Sequence, residues 1–190
     1  MSAPPPSSQY PPNTNRTVHR YITTHDANGK AIFDSTIPTE APTRSVLNGD
    51  MHFSLMYTNN SFPASMSTPA DIEAYASYLE TPPAITIPGG SVCRICNYAP
   101  GYLTPMHRTA SMDFGVVLEG EIELVLDSGE TRRLKRGDVV VQRGTNHAWR
   151  NVSPDVGGVG QWARMLYVLE SAVPVSVGGR VLGEDEAGID

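Results

Sequence analysis

Four polar side chains, His107, Thr109, Ser111 and Asp113, stand at alternate positions in one short stretch. In an extended strand, residues two apart share a face, so all four would point the same way. A second histidine, His147, follows three further expected strands and is itself followed by Trp149 two residues on. If the strands close into a barrel, His107, Asp113 and His147 could converge in its interior. An imidazole beside a carboxylate can accept, hold and return a proton, or bind a metal. A single histidine inside a barrel would read as a hydrogen-bonded core residue. This set is too polar for a core filled by protein alone, since buried polar groups need partners, so it reads as a pocket.

The elements that must position these residues are short strands. Alternating runs span 92–98, 103–109, 113–118, 121–126, 131–134, 138–141, 148–151 and 163–169. Glu119-Gly120, Ser128-Gly129 and Arg136-Gly137 supply tight turns between some of them. Ile122, Leu124 and Leu126 fall on one face, and Glu121 and Glu123 on the other. Strands at this spacing with turn signals between them indicate an all-β sandwich or barrel. Residues 91–170 are therefore expected to form the barrel, with a loop at 153–161 near the mouth of the site. Before it lies an N-terminal extension, 17–90, with strand-like runs near 18–22, 31–33 and 52–57. A helix is expected over 68–79: Thr68 caps, Pro69 suits the first turn, Asp71 stands where a capping-box acid would, and Ile72, Tyr75, Ala76 and Leu79 recur at helical spacing. This short helix should cover one flank of the barrel. Residues 1–16, rich in Pro, Ser and Asn, read as a disordered tail, and 171–190 as a trailing C-terminal segment.

Composition bounds the function. The chain has 190 residues and a net charge of −6, with 17 glycines and 16 prolines, which suits one turn-rich domain. No basic stripe exists for nucleic acid, no nucleotide-binding motif for a nucleotide cofactor, and no apolar run near the ~20 residues that span a bilayer. Without an apolar leader at the start, the expected location is cytoplasmic. Cys93 and Cys96 form a CxxC inside a strand, where a spacing of three puts the sulfurs on opposite faces. They should be two reduced, partly buried thiols. Exposed N-terminal strands could extend a partner's sheet, so a homodimer is expected.

The stretch GYLTPMHRTASMDFGVVLEG (101–120), together with Gly137, Gly144, His147 and Asn151, resembles the cupin superfamily. Its first motif runs G, five residues, H-x-H, three or four residues, E, six residues, G. Gly101, His107, Asp113 and Gly120 keep that spacing, with Thr109 at the second histidine and Asp113 at the glutamate. Gly144, His147 and Asn151 match the end of the second motif, whose first gap is one residue shorter here, with Gln142-Arg143 in place of the usual proline-containing pair. The resemblance implies a single jelly-roll barrel with an N-terminal extension and one covering helix. The wording from His107 to Asn151 also resembles uncharacterised cupins encoded near fungal polyketide pathways. That implies a small-molecule tailoring enzyme of specialised metabolism acting on an aromatic or polyketide-like substrate.

Cupins commonly bind Fe, Mn, Ni, Zn or Cu through three histidines and a glutamate, which implies His107, Asp113 and His147 as metal ligands and catalytic residues. Two histidines and one carboxylate suffice for Fe(II), and imidazoles also suit Zn or Ni. Metal-assisted oxidoreductase or lyase chemistry is the first expectation. The alternative is metal-free: His107 or His147 as general base, with Asp113 fixing the tautomer, in a dehydratase, decarboxylase, isomerase or cyclase. A non-catalytic ligand binder is a third. In each case Thr109, Ser111 and Gln142 would hold a substrate oxygen, and Trp149, Tyr102 and Phe114 would wall the pocket. Arg143 would meet an acidic group, because Trp149 facing inward sends Arg150 outward.

Overall fold

Burial along the strand Ser111–Glu119 follows the alternation of the sequence. Ser111, Asp113, Gly115 and Val117 are buried, while Met112, Phe114 and Val116 lie on the opposite face. The same period runs through the rest of the fold, seen in a computed structural model that describes residues 9–185. The expectations for residues 1–8 and 186–190 lie outside the described residues. The elements are β1 (Thr23–His25), β2 (Ala31–Phe33), β3 (Arg44–Val46), β4 (Met51–Asn59), α1 (Ala70–Glu80), β5 (Ser91–Tyr98), β6 (Ser111–Glu119), β7 (Glu121–Leu126), β8 (Thr131–Lys135), β9 (Val139–Arg143), β10 (His147–Asn151), β11 (Ala163–Ser171), β12 (Val175–Val177) and β13 (Arg180–Leu182).

Two antiparallel sheets make the barrel. Six strands run in the order β3-β4-β5-β11-β6-β9, and three in the order β10-β7-β8. Their inner faces share one core, with Val92, Cys96, Tyr98, Met165 and Tyr167 from the large sheet meeting Ile122, Leu124 and Trp149 from the small one. The outer face of β7 carries its charges in pairs: Glu121 with Arg133 at 2.5 Å and Glu123 with Arg150 at 2.8 Å. The predominantly β barrel is as the strand pattern requires, and its jelly-roll form is as the family resemblance implies.

Four expectations are corrected. The barrel begins at β3, not at residue 91, because β4 pairs with β5 along its length. The run at 52–57 reads as a strand, but residue order does not say which strand it pairs with; here it joins β5, with a register slip between Leu55 and Tyr57. Second, residues 103–109 are not a continuous strand; Leu103 and His107 make isolated bridges to Arg150 and His147, with Pro105 between them lacking the N–H a ladder needs. Third, residues 9–16 are not a loose tail: the Pro11 carbonyl accepts the Trp162 indole N–H at 2.8 Å, and Asn15 donates to Asn97 at 3.3 Å. Fourth, the trailing segment folds back as the β12–β13 hairpin, and Asp185 exchanges two backbone hydrogen bonds with Arg108, at 2.8 and 2.9 Å.

The helix lies where expected but is built differently. Pro69 occupies the N-cap position and no side chain caps it, so Thr68 does not act as a cap. The Asp71 carboxylate instead accepts the Tyr57 hydroxyl at 2.7 Å, and Tyr75, fully buried, donates its hydroxyl to the Leu55 carbonyl at 2.8 Å. Both contacts fasten α1 to β4. No helix among the described residues is long and apolar enough to cross a membrane.

Asn151, at the end of β10, joins three chain segments. Its amide nitrogen donates to the carbonyls of Tyr98, Ala99 and Gln161 at 2.8–3.0 Å, and its oxygen accepts the Ser153 N–H at 2.9 Å. Removing the amide leaves those buried carbonyls without a donor. Asn151→Ala is therefore expected to lower the unfolding free energy by about 2–3 kcal/mol, measured by denaturant titration with an unchanged m-value; a loss below roughly 0.5 kcal/mol would show that the clamp is not structural.

Candidate functional site

Two histidines are placed by the backbone itself. His107 and His147 exchange N–H···O=C bonds with each other, both at 2.8 Å, so their side chains emerge side by side. The rings lie 4.2 Å apart between centroids, tilted by 48°. Each Nδ1 sits 3.0 Å from a carbonyl two residues earlier, Pro105 for His107 and Thr145 for His147. A carbonyl only accepts, so each Nδ1 carries the hydrogen and each neutral ring keeps its lone pair on Nε2. Both rings line a cavity of about 110 Å³, large enough for several waters or one small molecule.

Burial holds both imidazoles neutral. His107 is pushed below the ordinary imidazole range by desolvation, against the Pro105 carbonyl. His147 is pushed down to about 4, first by desolvation and then by charge on His107 beside it. Charge on either ring opposes charge on the other, so the pair takes up one proton more readily than two.

Asp113 has a different role from the one expected. It is 4% exposed, and its two oxygens accept hydrogen bonds from Ser111 at 2.5 Å and Thr109 at 3.1 Å. Burial raises its pKa, while the two hydroxyls and Arg94 oppose the rise. It lines the cavity, but it does not fix either histidine's tautomer; the backbone carbonyls do that. Among the described residues, no three His, Cys, Asp or Glu side chains are grouped so that they could hold a metal ion. Asp113, held toward Thr109 and Ser111, is not grouped with the two imidazoles as the third ligand of a two-histidine, one-carboxylate centre. The residues present do not fit the metal site that the family pattern implies, and the loss of a ligand at Thr109 accounts for part of it.

Trp149 faces the cavity as expected, and Arg150 points outward to Glu123. Thr109 lines the cavity, whereas Ser111 reaches it only through Asp113. Gln142 is 3% exposed and paired across the ladder with Asp113; its carbonyl oxygen accepts the Thr145 hydroxyl, and it does not line the cavity. Phe114 is on the other face of β6, and Tyr102 packs beside the core outside the cavity lining. Arg143 is exposed on a separate cleft, with Ser111 and the segment 172–175. None of residues 153–161 lines the cavity.

Sequence reading missed the far wall: Arg94, Cys96 and Tyr98 on β5 and Tyr167 on β11. The signal was present. Arg94, Cys96 and Tyr98 are spaced by two and so share a face with the one cysteine that points inward. Cys96 is buried and Cys93 is not, and both are free, as the opposite-face reading required. Arg94 donates to the carbonyls of Ala84 at 3.2 Å and Ile85 at 2.7 Å, tying the segment after α1 to the cavity wall.

A double-sheet jelly roll with inward histidines at the positions of both motifs defines a cupin. Residues 94–157 match the family described as "Cupin domain", and the chain belongs to that family. The closer likenesses are to fungal proteins. "Phomopsin biosynthesis cluster protein C'" of Diaporthe leptostromiformis is 50% identical over 88% of this chain and 86% of its own length. "Oryzines biosynthesis cluster protein J" of Aspergillus oryzae is 48% identical over 88% and 90%. "Cupin-domain-containing oxidoreductase virC" of Hypocrea virens is 39% identical over 87% and 81%.

The His147 environment sets a pH dependence of stability. Its folded value of about 4 lies below the ordinary 6.5, so between them the unfolded chain binds more protons and stability falls as pH drops. Going from about pH 7.5 to about pH 5, this group alone costs about 2 kcal/mol. Asp113, raised by burial, acts in the opposite direction, so the comparison that isolates the imidazole is with His147→Gln. The variant is expected to lose less stability over that range than the parent; equal losses in denaturant titrations would refute the assignment.

Proposed function

We propose that this protein is a tailoring enzyme of specialised metabolism that moves a proton on a small carbonyl compound by imidazole acid–base catalysis. The observation that carries this reading is the paired His107 and His147, each with Nδ1–H committed to a carbonyl and Nε2 free toward a largely apolar cavity. The relatives from phomopsin and oryzine biosynthesis clusters support the metabolic setting. A base needs a lone pair within reach of the substrate and a protonated form that the site can tolerate. His107 meets both conditions: its Nε2 keeps the lone pair beside the cavity, and the Pro105 carbonyl stabilises the imidazolium through Nδ1–H.

The step runs as follows. The C–H bond next to the carbonyl breaks, its proton goes to Nε2 of His107, and its electron pair moves to the carbonyl oxygen as an enolate. Burial makes the resulting imidazolium a strong acid, so it returns the proton readily, to another carbon in an isomerisation or to a departing hydroxyl in a dehydration. Trp149 gives the aromatic surface on which a flat substrate lies. Leu47, Met51, Ile85 and Leu169 keep water out. Aromatic or polyketide-like substrates fit such walls.

The test uses hydrogen–deuterium exchange in D₂O, read by NMR at the carbon next to the carbonyl in a panel of aryl ketones and aldehydes. The protein is expected to accelerate exchange for members of the panel, and chelator-treated protein should do so equally. His107→Gln should reduce the rate at least tenfold. Full activity in His107→Gln, or activity that vanishes with chelation and returns with metal, would overturn the reading. The oxidoreductase name of a relative at 39% identity favours a redox step as the second reading. Turnover that stops under anaerobic conditions and consumes oxygen in air would support it.

A further inference from the structure

We propose that the paired phenols of Tyr98 and Tyr167 are the carbonyl-polarising site of the cavity, donating to the substrate oxygen on which the enolate charge develops. The proposal rests on the acid–base reading above, and it names the substrate as a small, flat carbonyl compound.

The strand pairing puts the two phenols together. On β5 and β11, Cys96 lies opposite Met165, Tyr98 opposite the small Ala163, and Tyr167 opposite Arg94. Tyr98 and Tyr167 thus stand at the ends of a diagonal, and their rings reach across the Cys96–Met165 row until the hydroxyls meet at 2.8 Å. Tyr98 is 2% exposed and Tyr167 is 7% exposed, and both line the cavity. Burial raises both phenols well above their ordinary range, so they are permanent donors and not bases.

A pair of hydroxyls has two hydrogens, and one is used between them. With Tyr98 donating to Tyr167, the other ends on sulfur: the Tyr167 hydrogen goes to Met165 Sδ at 3.0 Å. Thioether and thiol sulfurs are weak acceptors, and a buried O–H left on one is under-satisfied. A ligand oxygen in the cavity is a better partner, and the unbranched Met165 side chain can yield to it. The donor is therefore in place before the charge forms, which is what stabilisation of a developing oxyanion requires.

Tyr167 is also held in position. Gly115 on β6 lies beside it, where a Cβ would come within 3.1 Å of Tyr167 Cε1 and 3.3 Å of the Met165 methyl. The missing side chain is the seat of the ring. Trp149 meets the same ring edge-on at 5.5 Å, and His147 meets Trp149 at 5.2 Å. A flat molecule lying along Trp149 thus reaches a phenol donor at one end and the imidazole pair at the other. Its C–H bond gives the proton to His107, the electron pair settles on oxygen, and the phenols donate hydrogen bonds without losing a proton.

The experiment is infrared difference spectroscopy of acetophenone labelled with ¹³C at the carbonyl, bound to the intact protein. The C=O band is expected below its frequency in water. In Tyr167→Phe and in Tyr98→Phe/Tyr167→Phe it should move back toward the value in an apolar solvent, and Gly115→Ala should shift it in the same direction. A 3,5-difluorotyrosine at position 167, a stronger donor on an almost unchanged frame, should lower the band further. This keeps the test informative if a phenylalanine variant fails to fold. Absence of saturable binding, or a band unmoved by every change at position 167, would overturn the proposal. His107→Gln separates the two readings, since it should leave the band in place while slowing α-hydrogen exchange at least tenfold. Exchange lost there with a band indifferent to the tyrosines sinks only the phenol site; the converse sinks only the base.

Discussion

The site depends on two reciprocal backbone hydrogen bonds between His107 and His147. The segment from Gly101 to Ala110 has almost no ladder of its own, interrupted as it is by Pro105. It is pinned to β10 at three places: Thr104 and Tyr102 as well as His107 bond to β10 residues. Through that seam, a loop acquires the rigidity of a strand and an imidazole acquires a fixed neighbour. The carbonyls of Pro105 and Thr145 then set both tautomers, a task that metal sites and triads usually give to a carboxylate. Asp113 is left free for another task. It gathers the Thr109 and Ser111 hydroxyls into a buried knot that closes one wall.

Burial leaves the two imidazoles unprotonated and the two phenols protonated, beside Arg94 and Asp113 on the same cavity wall, while the ion pairs of β7 are kept on the outside. The cavity can therefore be apolar in its walls and still rich in directed donors and acceptors. In such surroundings an unpaired charge is costly, so a substrate that becomes negative as an imidazole becomes positive suits it better than either charge alone.

Most of the fold and half of the site could be read from the amino-acid order. A period of two along 111–117 gave the shared face of Ser111 and Asp113, and the spacing of Gly101, His107, Gly120, Gly144, His147 and Asn151 carried the resemblance that implied a jelly-roll barrel. The inward turn of Trp149, the outward turn of Arg150 and the split faces of Cys93 and Cys96 needed only strand geometry. What stayed hidden depends on contacts between distant positions. Tyr98 and Tyr167 meet only after β5 pairs with β11 in one register. Residue order does not reveal that the Asp113 carboxylate is already taken by its near neighbours. The run at 52–57 shows as a strand, but its pairing with β5 does not, and the Pro-rich run at 9–16 docks by hydrogen bonds and one indole, leaving no hydrophobic period to detect.

The chain contains only two tryptophans, and the fold has given them separate surroundings. Trp149 stands among His147, Tyr167 and the cavity. Trp162 is stacked on His52 at 4.7 Å and tied by its N–H to Pro11. Intrinsic fluorescence from this protein is therefore a sum of two independent signals: one indole senses what enters the barrel, and the other senses whether the N-terminal arm is seated against it.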